Sequence, residues 1–138
     1  MPEKLRAEIE TDEVLFIAEG VPVTVRRRGK APGYRGAATG KFSGAFAVTN
    51  RRILASISSS VMVDAPYDRS DGTKAIATLT KDGLWVHIDA SLHPECSGEI
   101  EMDFEQKFSN EELARFPQRK VPFNFTPELV PKMFGVPG

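Results

Sequence analysis

Short runs with a period of two dominate this chain, and that period places alternate side chains on opposite faces of a strand. The central example spans residues 44–56. Phe46 and Val48 alternate with smaller residues before Thr49-Asn50, and Ile53 and Ala55 do so after it. Asn tolerates the left-handed backbone of a tight turn, so the stretch predicts a hairpin with one buried face. The cleanest alternation covers residues 98–105, where Ile100, Met102 and Phe104 are separated by acids. Val21, Val23 and Val25 repeat the pattern, as do Val61, Val63 and Ala65, and Leu84, Val86 and Ile88. Asp82-Gly83 suits a second hairpin turn that needs positive φ. The strand before it has two open readings: Ile76 and Thr78 face inward, or Ala75, Ala77 and Leu79 do.

Residues 14–18 form a short apolar run, and Glu19-Gly20 predicts a break after it. Residues 29–40 read as a mobile loop, because Gly29, Gly33, Gly36, Gly40 and Pro32 leave no sustained period. Residues 2–10 predict a short helix with Leu5, Ala7 and Ile9 on one side. A second helix starts after Ser109, which forms a capping box with Glu112, and Pro117 stops it. Beyond it lie Pro122, Pro127, Pro131 and Pro137. There, residues 121–125 suit an extended piece, and residues 127–134 suit a helical turn or two whose Leu129, Val130, Met133 and Phe134 need cover. The sum is about seven short strands and then one short helix, the pattern of an antiparallel barrel or sandwich. A helix plugging one barrel end would be buried while the sheet edges close. The predicted organisation is one domain over residues 1–117 and a Pro-rich tail over residues 118–138.

Composition narrows the class. A chain of 138 residues with 41% hydrophobic and 27% charged content can bury one real core. The lone Cys96 makes no internal disulfide. Charges in residues 1–6 stand where a signal peptide needs apolar residues, and no run approaches a membrane span. These features predict a soluble cytoplasmic protein. Net charge is −1, but it is unevenly spread. Residues 21–60 carry Arg26, Arg27, Arg28, Lys30, Arg35, Lys41, Arg51 and Arg52 and no acid, whereas Glu99, Glu101, Asp103 and Glu105 form an acidic run. Such asymmetry creates local fields that a neutral pI conceals.

The hairpin over residues 44–54, with Thr49-Asn50-Arg51-Arg52 at its turn, resembles the signature of bacterial pleckstrin-homology-like and GRAM-type domains. The later Lys81-Asp82-Gly83-Leu84 hairpin and the closing strand and helix fit the same pattern. The resemblance covers roughly residues 14–116 and implies a PH-like antiparallel β-barrel of about seven strands capped by one short C-terminal α-helix. It also implies a non-catalytic binding or interaction module of a bacterial cell. Phosphoinositide-binding members use basic residues around the first inter-strand loop, and that region holds Arg26, Arg28, Lys30, Arg35 and Lys41.

Those five residues are the candidate ligand site. On a strand, Arg26 and Arg28 share a face and Arg27 takes the other. Guanidinium forks match phosphate oxygens, so an anionic lipid headgroup or surface is one expected partner. A protein partner is another, and a third is the acidic strand of the same chain or of a second copy. Self-assembly into a scaffold through strand edges and the tail is the alternative function. One of Arg51 and Arg52 is expected to fix local structure against Asp64 or Asp89. His87, Asp89, His93, Glu95 and Cys96 are the only set resembling a metal or catalytic group, and His93-x-x-Cys96 lacks paired zinc spacing. No catalytic residue, metal or cofactor is therefore expected. Without exposed aromatics among the basic residues, nucleic acid is not an expected partner.

Overall fold

A computed structural model of the chain describes residues 10–68 and 74–134, together with Glu3, Arg6 and Ala7. Its strands are β1 (Val14–Ala31), β2 (Tyr34–Thr49), β3 (Arg52–Ile57), β4 (Ser60–Pro66), β5 (Ala75–Thr80), β6 (Gly83–Asp89), β7 (Ser97–Glu105) and β8 (Lys120–Pro122). Two short helices follow β7: α1 (Asn110–Arg115) and α2 (Leu129–Met133). All strands belong to one antiparallel sheet in the order β4-β3-β2-β1-β7-β6-β5-β8. The sheet curls into a nearly closed barrel. Of the expected N-terminal helix, Glu3, Arg6 and Ala7 are helical, while Pro2, Leu5 and Ile9 lie outside the described residues, as do Asp71 and Gly72, a dipeptide that predicts a turn.

β1 is one strand, not two. Its register against β2 shifts between Glu19 and Val21, which leaves Gly20 as an extra residue at φ +67°. A bulge with glycine in the left-handed region inverts the parity of the strand. Phe16 and Ala18 therefore pack against the core before the bulge, and Val21, Val23 and Val25 do so after it. Without the bulge, one half of β1 would turn its apolar side to solvent.

Residues 29–40, expected as a loop, continue the same hairpin. β1 and β2 stay paired out to Ala31↔Tyr34, and Pro32-Gly33 alone makes the turn. Proline followed by a glycine at φ +77° suits a type II turn. One of the glycines serves close packing. Gly29 sits opposite Gly36 of β2 and Gly98 of β7. A Cβ on Gly29 would lie 1.9 Å from the Ser97 carbonyl oxygen.

The core takes Phe46, Val48, Ile53 and Ala55 from the central hairpin, and Leu84, Val86, Ile88, Ile100, Met102 and Phe104 from the other half of the sheet. On β5 the inward set is Ala75, Ala77 and Leu79. The Ser109 capping box forms, with its hydroxyl accepting from the Glu112 N–H. Behind α1, Phe108 and Phe116 pack edge-on against Phe16, at 4.8 and 6.5 Å between ring centres.

The tail is not separate from the domain. β8 pairs with β5 and adds an eighth strand, and Val121, Phe123, Phe125, Val130 and Phe134 join the same core. The prolines at 122, 127 and 131 deny it a long helix, but its apolar residues still need burial, and the barrel supplies it. Just after α2, Phe134 meets the Tyr34 ring at 5.5 Å.

Candidate functional site

The strand alternation of β1 sends Arg26, Arg28 and Lys30 outward, and Arg27 inward. Arg27 donates from Nη1 to the Met133 carbonyl at 2.8 Å. A cation on the last carbonyls of a helix is favourably placed, so Arg27 fastens α2 to the barrel.

Register decides what the outward arginines meet. β1 lies beside β7 with Arg26 opposite Glu101 and Arg28 opposite Glu99. Arg26 leans diagonally to pair with Asp103, and Arg28 Nη2 stands 3.8 Å from Glu99 Oε1. The acidic run on β7 thus pairs Arg26 and loosely accompanies Arg28, within the same chain, so two of the five cations expected to bind a ligand stand among acids. The other three differ. Lys30 and Arg35 are directly opposed across the hairpin tip, and Lys41 lies opposite Thr24. All three are exposed and make no ion pair among the described residues. Like charges facing each other across a ladder are unfavourable, so the tip holds an uncompensated positive pair.

β2 has a second distinctive property. It is paired along its whole length with β1, but with β3 only over Gly44–Val48. Ser43 adds one contact, its carbonyl accepting from the Ser58 N–H at 3.1 Å. Among the described residues no strand covers the other side of residues 34–42. Half of their backbone donors and acceptors therefore face outward along an open edge. An open cleft of about 430 Å³ spans β2, β1 and β7 on the other side of β2 from this edge, lined by Arg26, Arg28, Ala37, Thr39, Glu99 and Glu101 among others. Phe42, at 45% exposure, sits near the inner end of this edge.

The Thr49-Asn50-Arg51-Arg52 turn has a structural occupation. Asp12, whose side chain has no exposed surface, accepts from Thr49 Oγ1 at 2.9 Å and from Arg52 Nε at 3.0 Å. Thr49 Oγ1 in turn accepts from the backbone N–H groups of Arg51 and Arg52. The Asn50 side chain accepts from the Glu13 N–H at 2.9 Å. Burial pushes the Asp12 carboxyl up, but the hydrogen bonds from Arg52 and Thr49 and the charges of Arg52 and Arg51 outweigh it, so its pKa is lowered. Arg52 also approaches Asp64 at 3.7 Å, the partner anticipated for this pair, whereas Asp89 accepts instead from the Ser91 N–H. Tyr67 donates to the Thr49 carbonyl at 2.8 Å. Burial, followed by the Asp12 charge, pushes the Tyr67 hydroxyl up to about 12.

The set that most resembled a metal or catalytic group is split. Cys96 is buried, and burial together with the Glu95 charge raises its thiol pKa, opposite to what a nucleophile needs. The His93 ring nitrogen Nδ1 accepts from the Glu95 N–H. His87 instead meets residues from β7: its Nε2 lies 3.1 Å from Glu99 Oε2, and Glu101 is its cross-strand neighbour. The alternation of β7 signalled that Glu99 and Glu101 face solvent, but only the β6–β7 register brings them to His87.

No family model matches the chain, and no curated protein or solved structure matches it either. No helix among the described residues is long and apolar enough to cross a membrane.

Proposed function

We propose that this chain is a non-catalytic interaction module that adds an extended, acidic segment of a partner protein to the open edge of β2. The observation carrying the reading is the one-sided pairing of residues 34–42. An unpaired strand edge offers a ready ladder of donors and acceptors, and recognition by strand addition uses it directly. The charge of the partner follows from Lys30, Arg35 and Lys41, which border this edge without counter-ions among the described residues. The pleckstrin-homology-like kinship suggested by the Thr49-Asn50-Arg51-Arg52 hairpin belongs to the same proposal. It is supported by seven strands followed by a helix, and it implies a bacterial, cytoplasmic setting.

Two rival readings are less favoured. An anionic bilayer approaching Arg26 and Arg28 would also meet Glu99, Glu101 and Asp103 on the adjoining strand. Self-pairing of two β2 edges centred on Ala38 would set Arg35 opposite Lys41 of the second copy, a like-charge contact.

The test uses a fluorescein-labelled peptide of alternating glutamate and valine, followed by anisotropy at low and high salt. Vesicles of phosphatidylcholine with and without phosphatidylserine, and the mass in solution, are measured alongside. Saturable peptide binding that weakens with salt and is lost in Lys30→Glu/Arg35→Glu supports the proposal. Vesicle binding without peptide binding, a dimer formed through β2, or no binding of any kind overturns it.

A further inference from the structure

We infer that His87, Glu99 and Glu101 form a binding site for a first-row divalent cation of the zinc type on the outer face of β6 and β7. The inference is independent of the edge of β2. One imidazole nitrogen and one oxygen from each carboxylate lie within 4.8 Å of one another. Ligands around one ion at about 2.0–2.2 Å stand at most about 4.4 Å apart, so a spread of up to 4.8 Å closes onto an ion with side-chain shifts of under about 1 Å. The set mixes nitrogen and oxygen, which suits zinc and its neighbours better than calcium or magnesium, whose ligands are oxygens.

The positions are fixed by backbone. His87 is opposite Glu101 in the β6–β7 register, and Glu99 lies two residues along β7 on the same face. All three side chains are half-buried, and Gly98 crosses β1 so tightly that an added Cβ would meet the Arg28 carbonyl oxygen at 2.0 Å. The local charges point the same way. Arg26 opposes Glu101 in register but pairs with Asp103, which leaves Glu101 with no hydrogen bond or ion pair among the described residues. Arg28 reaches Glu99 only at 3.8 Å with a side chain that is 78% exposed, so the competition it offers a metal is weak. The middle carboxylate of the row is therefore half-buried and uncompensated beside an imidazole. A cation bound there would take two carboxylates and one imidazole from the protein and leave a remaining coordination position to water.

Trp85 gives the site a reporter. It is the only tryptophan, and its ring centre lies 5.6 Å from that of His87 on the same strand face. The experiment is calorimetric titration of the tag-free protein with zinc chloride, paired with quenching of Trp85 fluorescence by nickel chloride. One zinc per chain is expected, with affinity reduced at least about tenfold in His87→Ala and in Glu101→Gln and unchanged in His93→Ala. Far-ultraviolet circular dichroism of each variant establishes that it is folded, and the conservative Glu101→Gln keeps the test valid if His87→Ala is not. Absence of zinc binding, or equal binding by wild type and Glu101→Gln, would overturn the inference. So would loss of binding in His93→Ala alone.

Discussion

Replacing Asp12 tests the claim that the Thr49-Asn50-Arg51-Arg52 turn is a structural clamp. Asp12 lies outside the regular strands, yet its side chain is fully enclosed. Its charged hydrogen bond from Arg52 is worth about 1.5–3 kcal/mol and its neutral one from Thr49 about 1 kcal/mol. Arg51, 3.8 Å away and 66% exposed, adds little. Asp12→Ala should therefore destabilise the fold by about 2–4 kcal/mol. Asp12→Asn keeps an acceptor and loses the charge, so about half of that is expected. At this chain length the larger loss corresponds to a fall in Tm of roughly 8–15 °C. Thermal unfolding followed by circular dichroism measures it. The sign of the pH dependence follows from the lowered pKa of Asp12. Its contribution is complete above the ordinary carboxylate range and is lost as pH falls through the lower folded value. The gap between wild type and Asp12→Ala should be steady from pH 7 to about pH 5 and close below about pH 4. An Asp12→Ala protein within about 0.5 kcal/mol of wild type at pH 7, or a gap that widens on acidification, would refute the clamp.

Three further outcomes follow from the geometry. Gly29→Ala should cost more than about 2 kcal/mol in urea unfolding, because the new methyl meets the Ser97 carbonyl at a φ of +148°; Gly36→Ala in the same row, with open space around it, should cost about 1 kcal/mol. Phe134→Ala should cost about 3–5 kcal/mol, since the ring is 2% exposed, and a loss under 1 kcal/mol would mean that the tail does not share the core. Tyr67, raised to about 12, contributes stability that is full below about pH 10 and lost as pH climbs through about 12. Alkaline unfolding over that window should disappear in Tyr67→Phe, and an unchanged alkaline limb would remove Tyr67 as its cause.

Local chemistry was legible in the sequence, and register was not. Ile100, Met102 and Phe104 alternate without interruption and face the core as read. Asp82-Gly83 and the Ser109–Glu112 capping box are complete within a few residues, so each can be recognised without knowing the rest of the fold. Gly20 defeated the same reading of β1. A bulge inserts one residue into a period of two, and the two halves then look like separate elements. Residues 29–40 failed for a related reason: Gly29, which permits β1 and β7 to cross closely, Gly33, which makes the turn, and Gly36 and Gly40 together erase a strand pattern. The pairing of Arg26 with Asp103, and of His87 with Glu99, depends on how loops of different length align β1, β6 and β7. In the tail the extended piece over residues 121–125 and the helical turn within 127–134 were legible, with Val121, Phe123 and Phe125 alternating inward, but β8 has only three residues and nothing local shows that it packs on β5.

The same register links the fold to both proposed sites. A slip of one residue between β1 and β7 would turn Arg26 and Arg28 inward and Arg27 outward. It would strand two guanidinium groups in an apolar barrel and break the bond from Arg27 to Met133. It would also move Gly29 away from Gly98, setting a side-chain Cβ where backbone now passes. Three separate penalties thus enforce one alignment. That alignment pairs Arg26 with Asp103, sets Arg28 beside Glu99 and, among the described residues, leaves Lys30 and Arg35 without counter-ions at the tip and Glu101 unpaired beside His87. The residues that can still recruit a ligand are those the register did not satisfy, which is why the open edge of β2 and the His87 cluster carry the functional reading while the more conspicuous arginine triplet does not.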